Sequence, residues 1–295
     1  MTEVVARPAP PPAPELHPTH PGVLRAADRP DGPFAPWSPC EPGTCLPSAP
    51  RGGHLRMAWR LVALAAVVSV ALLVAAVLPL LGVPRRERLV RPIFGAVLGA
   101  AGVRLEVSGA TGLRPDDGSG ALVVANHLSW IDVLALGAVT PVTMLAKREV
   151  AGWPVIGPLA ARFGTVFVDR RGLRTLPGVV AETARALGDG ALVGVFPEAT
   201  TWCGAGSGAF RRAPFQAAID AGVPVRPVSL ALRTPDGRPT TAASFVGDQT
   251  LGDSLSRVLR MPAVVCAVAV GDVIESSGDR RSLARRASAA VRAAA

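Results

Sequence analysis

Lysine is almost missing from this 295-residue chain. Lys147 is the single one among 31 basic residues, and the others are arginine. Charged residues of both signs reach only 18%, against 49% hydrophobic. That balance excludes a chain disordered throughout and leans toward a membrane-associated globular protein. Cysteine is scarce as well: Cys40 and Cys45 stand in "CEPGTC", and Cys203 and Cys266 stand apart. They match neither a disulfide framework nor the paired spacing of a zinc site, so they read first as free thiols, with a disulfide or metal clip at Cys40 and Cys45 as the alternative. No helix-turn-helix, RNA-binding aromatic pattern or zinc-finger spacing is present. The net charge of +9 therefore points to anionic headgroups or phosphorylated substrates rather than to nucleic acid. No apolar segment lies near the start, which excludes a secretory signal. A serine-elbow hydrolase is excluded too: "GAGSG" at 204–208 has the wrong spacing, and no strand directly precedes it.

What is present falls into three parts. Residues 1–56 are proline-rich, as in "ARPAPPPAPELHP". They have no periodic apolar face, so they predict a disordered tail. Residues 57–83 contain "RLVALAAVVSVALLVAAVLPLLGV", in which Leu61 to Val83 carry no charge. That length predicts a transmembrane or membrane-anchoring helix, read first as a single span. The alternative is a hairpin insertion kinked at Pro79 with both ends on one side. Arg51, Arg56 and Arg60 precede it, and Arg85, Arg86, Arg88 and Arg91 follow it. The small excess after the span places the following domain at the cell membrane on its cytoplasmic side.

From about 100 onward short apolar runs alternate with helical segments, so residues 84–295 predict one further domain. "RLEVSG", "ALVVA" at 121–125, "VTML", "TVFV" at 165–168, "ALVGVF" at 191–196, "VPVRPVSLAL" and "AVVCAVAV" read as strands. Residues 130–139 and 173–188 read as helices, and "DRRSLARRASAAVRAAA" as a basic terminal helix. This is the pattern of an α/β fold: a mainly parallel sheet flanked by helices, preceded by the membrane helix and the tail.

The stretch "VVANHLSWIDVLAL" at 123–136 carries the chemistry. A strand at 121–125 delivers Asn126 and His127 to its carboxyl end, where sites gather in α/β sheets. Ser129 can cap a helix starting at Trp130, with Asp132 at its third position, and Ser129-x-x-Asp132 matches a capping box that needs no catalysis. The same geometry suits a histidine–carboxylate pair. Asp132 would fix the imidazole tautomer, and the other ring nitrogen would take a proton from an attacking hydroxyl. The spacing alone leaves both readings open.

Three further blocks follow in order: "GTVFVDRR" at 164–171, "FPEAT" at 196–200 and "VPVRPVSL" at 223–230. With "NHLSWID" they resemble the four signatures of the glycerolipid acyltransferase family, which includes 1-acyl-glycerol-3-phosphate acyltransferases. The core motifs cover 121–230. The resemblance implies an acyltransferase with His127 as general base and Asp132 as its orienting partner. It implies that Asn126, Lys147, Arg170, Glu198 and Thr200 serve the substrate, with Arg170 on the acceptor's phosphate and Glu198 orienting an arginine or accepting a glycerol hydroxyl. Acyl-CoA or acyl-carrier protein would donate the chain, a lysophospholipid would accept it, and no metal or redox cofactor would take part. Acceptors of the same chemistry, such as a lyso-ornithine lipid, and a non-catalytic membrane scaffold are the alternatives. One departure stands out. The family's usual glycine in the third block is Ala199 here, which matters if that position needs positive φ. Trp153, Pro154 and Gly157 read as packing, turn or membrane-interface residues. Cys203 has no histidine beside it in sequence and does not read as a nucleophile.

Overall fold

The computed structural model describes residues 37–48, 50, 52–163, 165–168 and 175–294. Seven strands form one sheet: β1 (Val103–Gly109), β2 (Ala121–Ala125), β3 (Thr143–Lys147), β4 (Val166–Val168), β5 (Leu192–Val195), β6 (Val225–Arg233) and β7 (Val264–Val270). Their spatial order is β1-β7-β6-β2-β5-β3-β4. All neighbours are parallel except β6 and β7. The α/β expectation holds, and its parallel centre explains the unbroken apolar strands.

β2 shows the reason most clearly. All five of its residues are buried. Ala121, Val123 and Ala125 face one apolar layer, and Leu122 and Val124 face the other. The first layer is closed by α3 (Val83–Ala101), α4 (Trp130–Val139) and α9 (Leu251–Arg260), through residues such as Leu98, Leu136 and Leu259. The second is closed by α7 (Leu176–Gly188), α8 (Ala213–Ala221) and α10 (Arg280–Ala293), through Leu187, Phe215 and Leu283. A strand covered on both faces must be apolar at every position.

The N-terminal region differs from expectation. A short helix, α1 (Pro42–Cys45), lies inside the presumed tail, and Cys40 before it is buried. Residues around it pack on the domain: the Thr241 hydroxyl donates to the Cys45 carbonyl at 2.7 Å. The disordered-tail reading is therefore corrected for this stretch; residues 1–36 lie outside the described ones.

The long apolar helix, α2 (His54–Val77), is long and apolar enough to cross a bilayer by length and composition, and most of it is exposed. A 3₁₀ turn (Leu78–Leu80) leads into α3, and the two helices pack together. The start of α2 is fastened to the domain. Arg60 donates to the carbonyls of Leu259, Met261 and Pro262 at 3.1, 2.8 and 2.9 Å. Arg56 donates to the Arg260 carbonyl at 2.8 Å. These are the last carbonyls of α9 and its exit, groups a helix leaves without internal partners. α3 ends at Gly102, beside the Arg60 guanidinium, and β1 begins at Val103. Both open ends of this helical hairpin thus lie on one side, with exposed Leu80 at its tip. α5 (Arg148–Ala151) and α6 (Ile156–Arg162) complete the element set.

Candidate active site

The site forms where β2 and β5 end side by side. Their parallel register pairs Val124 with Val195. His127 and Glu198 each follow three residues later, so the sheet register brings them together. Glu198 Oε2 accepts the His127 backbone N–H at 2.8 Å, and Oε1 accepts the Gly208 N–H at 2.8 Å.

The loop between β2 and α4 has its backbone groups satisfied in turn. The His127 carbonyl accepts from Trp202 N–H, and the Leu128 carbonyl from Phe245 N–H, both at 2.8 Å. The N–H groups of Leu128 and Ser129 both donate to Asp132 Oδ2, the latter at 2.8 Å. Such complete pairing is what a buried loop requires.

Asp132 Oδ2 also lies 2.8 Å from His127 Nδ1. The carboxylate therefore does two tasks with one oxygen: it caps α4 from the third position and holds the imidazole. The two readings of the sequence are both realised. The Ser129 hydroxyl has no partner among the described residues, so the cap is carried by the carboxylate. Asp132 is fully buried, while the His127 side chain stays 20% exposed. The imidazole stacks on Phe196, with ring centroids 3.9 Å apart and planes 8° from parallel. Nδ1 is fixed by the carboxylate and the ring face by Phe196, which leaves Nε2 as the nitrogen that can exchange a proton. It makes no hydrogen bond to a described residue.

The other expected residues are placed as follows. Asn126 is not directed at a substrate. Its side-chain amide donates to the Leu230 carbonyl and accepts the Leu230 N–H, both at 2.8 Å, so it extends the β2–β6 ladder by one rung. Glu198 is 5% exposed and gives both oxygens to backbone donors. Asn126 and Glu198 thus hold backbone groups of the site in place. Burial pushes the Glu198 carboxyl up to about 7, although the two N–H groups pull it down. Thr200 is half-buried in the turn after Glu198. Lys147 closes β3 on the neighbour of β5, and its side chain is not described. Arg170 lies outside the described residues.

Ala199 answers the question its sequence raised. Its φ is +63°, the left-handed region. It follows a turn closed by its own N–H on the Phe196 carbonyl at 2.9 Å. Phe196, Trp202 and Gly208 were not singled out as functional from the sequence. Phe196 was legible in part, since it opens the "FPEAT" block; Trp202 and Gly208 contribute backbone groups, which leave no mark on residue type.

Comparison with known proteins agrees with this geometry. The acyltransferase family model matches residues 104–231. Lyso-ornithine lipid O-acyltransferase of Pseudomonas aeruginosa is 38% identical over 212 residues, covering 72% of this chain and 80% of the relative. 1-acyl-sn-glycerol-3-phosphate acyltransferase of Neisseria meningitidis serogroup B is 36% identical over 211 residues, covering 70% and 81%. The crystal structure of the 1-acyl-sn-glycerophosphate acyltransferase PlsC from Thermotoga maritima superimposes with a TM-score of 0.58 at 20% identity. That match covers 82% of this chain and 93% of the other, and shows a shared fold.

Proposed function

This chain belongs to the glycerolipid acyltransferase family and is an acyltransferase, and on that premise we propose that it acylates the free hydroxyl of 1-acyl-sn-glycerol-3-phosphate, forming phosphatidic acid. The single observation that carries the proposal is the 2.8 Å contact between His127 Nδ1 and the buried Asp132 carboxylate.

The chemistry follows from that pair. His127 Nε2 takes the proton of the acceptor hydroxyl as its oxygen attacks the thioester carbonyl. Asp132 holds the tautomer and stabilises the imidazolium that forms. As the tetrahedral intermediate collapses, the carbon–sulfur bond breaks and the proton passes from Nε2 to the departing thiolate. The attacking oxygen comes from the substrate, so no protein nucleophile takes part. Asn126 and Glu198 position the histidine loop; Arg170, Lys147 and Thr200 serve the acceptor. The donor is acyl-CoA or acyl-carrier protein.

The long apolar helix α2 supports membrane association. We place α2 in the cell membrane, with the catalytic domain on the cytoplasmic face, on the strength of Arg56 and Arg60 at the end where it joins the domain. A second reading, transfer to a lyso-ornithine lipid, is favoured by the Pseudomonas relative and uses the same pair.

The test is thiol release in liposomes with a long-chain acyl-CoA and either acceptor, using wild type and His127→Ala. Acceptor-dependent release with 1-acyl-sn-glycerol-3-phosphate, lost in the variant, supports the proposal. Release only with the lyso-ornithine lipid moves the acceptor and keeps the chemistry. Release undiminished in a folded His127→Ala protein overturns the mechanism.

A further inference from the structure

Three of the four cysteines meet at one point. Cys40 precedes α1, Cys45 ends it, and Cys203 lies in the loop after β5. Their sulfurs all lie within 4.8 Å of one another. Sequence spacing pairs Cys40 with Cys45 but gives no sign of Cys203, which is far along the chain. Cys40 is 2% and Cys203 1% exposed, and Cys45 is half-buried. No disulfide joins any of them. Two donors already face the sulfurs: the Cys203 N–H reaches Cys40 Sγ at 3.3 Å, and the Thr44 hydroxyl reaches Cys45 Sγ at 3.7 Å. Val246, Leu46 and Trp202 pack around the cluster.

We propose that Cys40, Cys45 and Cys203 are three thiolate ligands of one zinc ion, which clamps the N-terminal segment to the loop beside the catalytic histidine. The distances suit this. Zinc–sulfur bonds of about 2.3 Å in a tetrahedron place the sulfurs about 3.8 Å apart, so small side-chain movements close the site. An all-sulfur set selects a soft or borderline ion and excludes magnesium or calcium. A disulfide would join two of the sulfurs and leave the third unused; a metal uses all three. Cys45 marks the solvent side, where a water completes the fourth position. A divalent ion offsets the cost of three buried thiolates.

The site bears on the histidine loop through the backbone. Trp202, next to Cys203, donates its N–H to the His127 carbonyl at 2.8 Å, and the Ser244 hydroxyl donates to the Cys203 carbonyl at 2.9 Å. Zinc therefore positions and takes no part in acyl transfer.

The test uses the full chain in detergent, stripped with a chelator and titrated with zinc, then with cadmium, whose thiolate charge-transfer absorption counts sulfurs. One metal per chain is expected, with a band of three thiolates. Cys40→Ser and Cys203→Ser lose binding, and Cys45→Ser, at the half-buried position, retains the fold and binds at least tenfold more weakly. Cys266→Ser, in the β7 core, binds as wild type does. Zinc raises the Tm of wild type and Cys266→Ser equally, of Cys45→Ser less at the same concentration, and of Cys40→Ser and Cys203→Ser not at all. Absence of uptake by wild type, uptake unchanged in Cys45→Ser, or isolation of the chain with Cys40 and Cys203 in a disulfide overturns the proposal. None of these readouts depends on activity, so each is separate from the acyltransferase assignment.

Discussion

His127 and Asp132 are joined through one carboxylate oxygen that also caps α4. Oδ2 faces His127 Nδ1 at 2.8 Å and accepts the N–H groups of Leu128 and Ser129. Catalysis and helix initiation share an atom, so variants at the two positions separate in their effects.

His127→Ala leaves the cap intact. Its turnover falls about 10²–10⁴-fold, the usual contribution of a general base, while its Tm stays near wild type. Asp132→Ala loses comparable activity and in addition strands two backbone donors, which costs about 2 kcal/mol of stability. Thiol-release rates and thermal unfolding, measured together, check the split. Equal Tm losses in both variants would show that Asp132 does not cap.

Glu198 gives a pH-dependent signature. Its carboxyl ionises near 4.5 when unfolded and near 7 when folded, raised chiefly by burial. Between these values the folded chain binds more protons than the unfolded one. The group's contribution to stability is therefore full below about 4.5 and lost as pH rises through 7. Glu198→Gln cannot ionise, so wild-type stability declines relative to this variant by up to about 3 kcal/mol over that window. Denaturant unfolding at several pH values checks this; parallel curves would refute it.

Ala199 sits at φ +63°, in the left-handed region. Ala199→Gly relieves the left-handed strain and stabilises the chain by about 1 kcal/mol, the entropy of glycine notwithstanding. A lower Tm for Ala199→Gly would show that the turn holds alanine without strain.

Arg60 ties α2 to the exit of α9 by three carbonyls within 3.1 Å. Arg60→Ala should lose about 2 kcal/mol, and Arg60→Lys should recover part of it, since a point charge cannot reproduce the fork. Thermal unfolding in detergent measures both.

The hairpin predicts sidedness. Epitopes at position 48 and at the C-terminus should become accessible from the same face of sealed vesicles. Opposite faces would support the single span.

The sequence by itself determined the strands, the α/β class and the candidate pair. Buried parallel strands must be apolar throughout, as Ala121–Ala125 is, and a histidine after such a strand with a carboxylate at the third helical position has few geometries open to it. Local rules also raised the question of the backbone at Ala199, and the structure answered it with a positive φ. Only the tertiary structure decided which polar groups remain for a substrate. Asn126 and Glu198 looked like ligands, yet the β2–β6 and β2–β5 registers turn them onto backbone partners. It also decided that α3 folds back along α2 and that Arg60 is held by carbonyls some 200 positions away. The meeting of Cys203 with Cys40 and Cys45 has the same cause: a contact between distant segments is set by sheet order and layer packing, which no local pattern encodes.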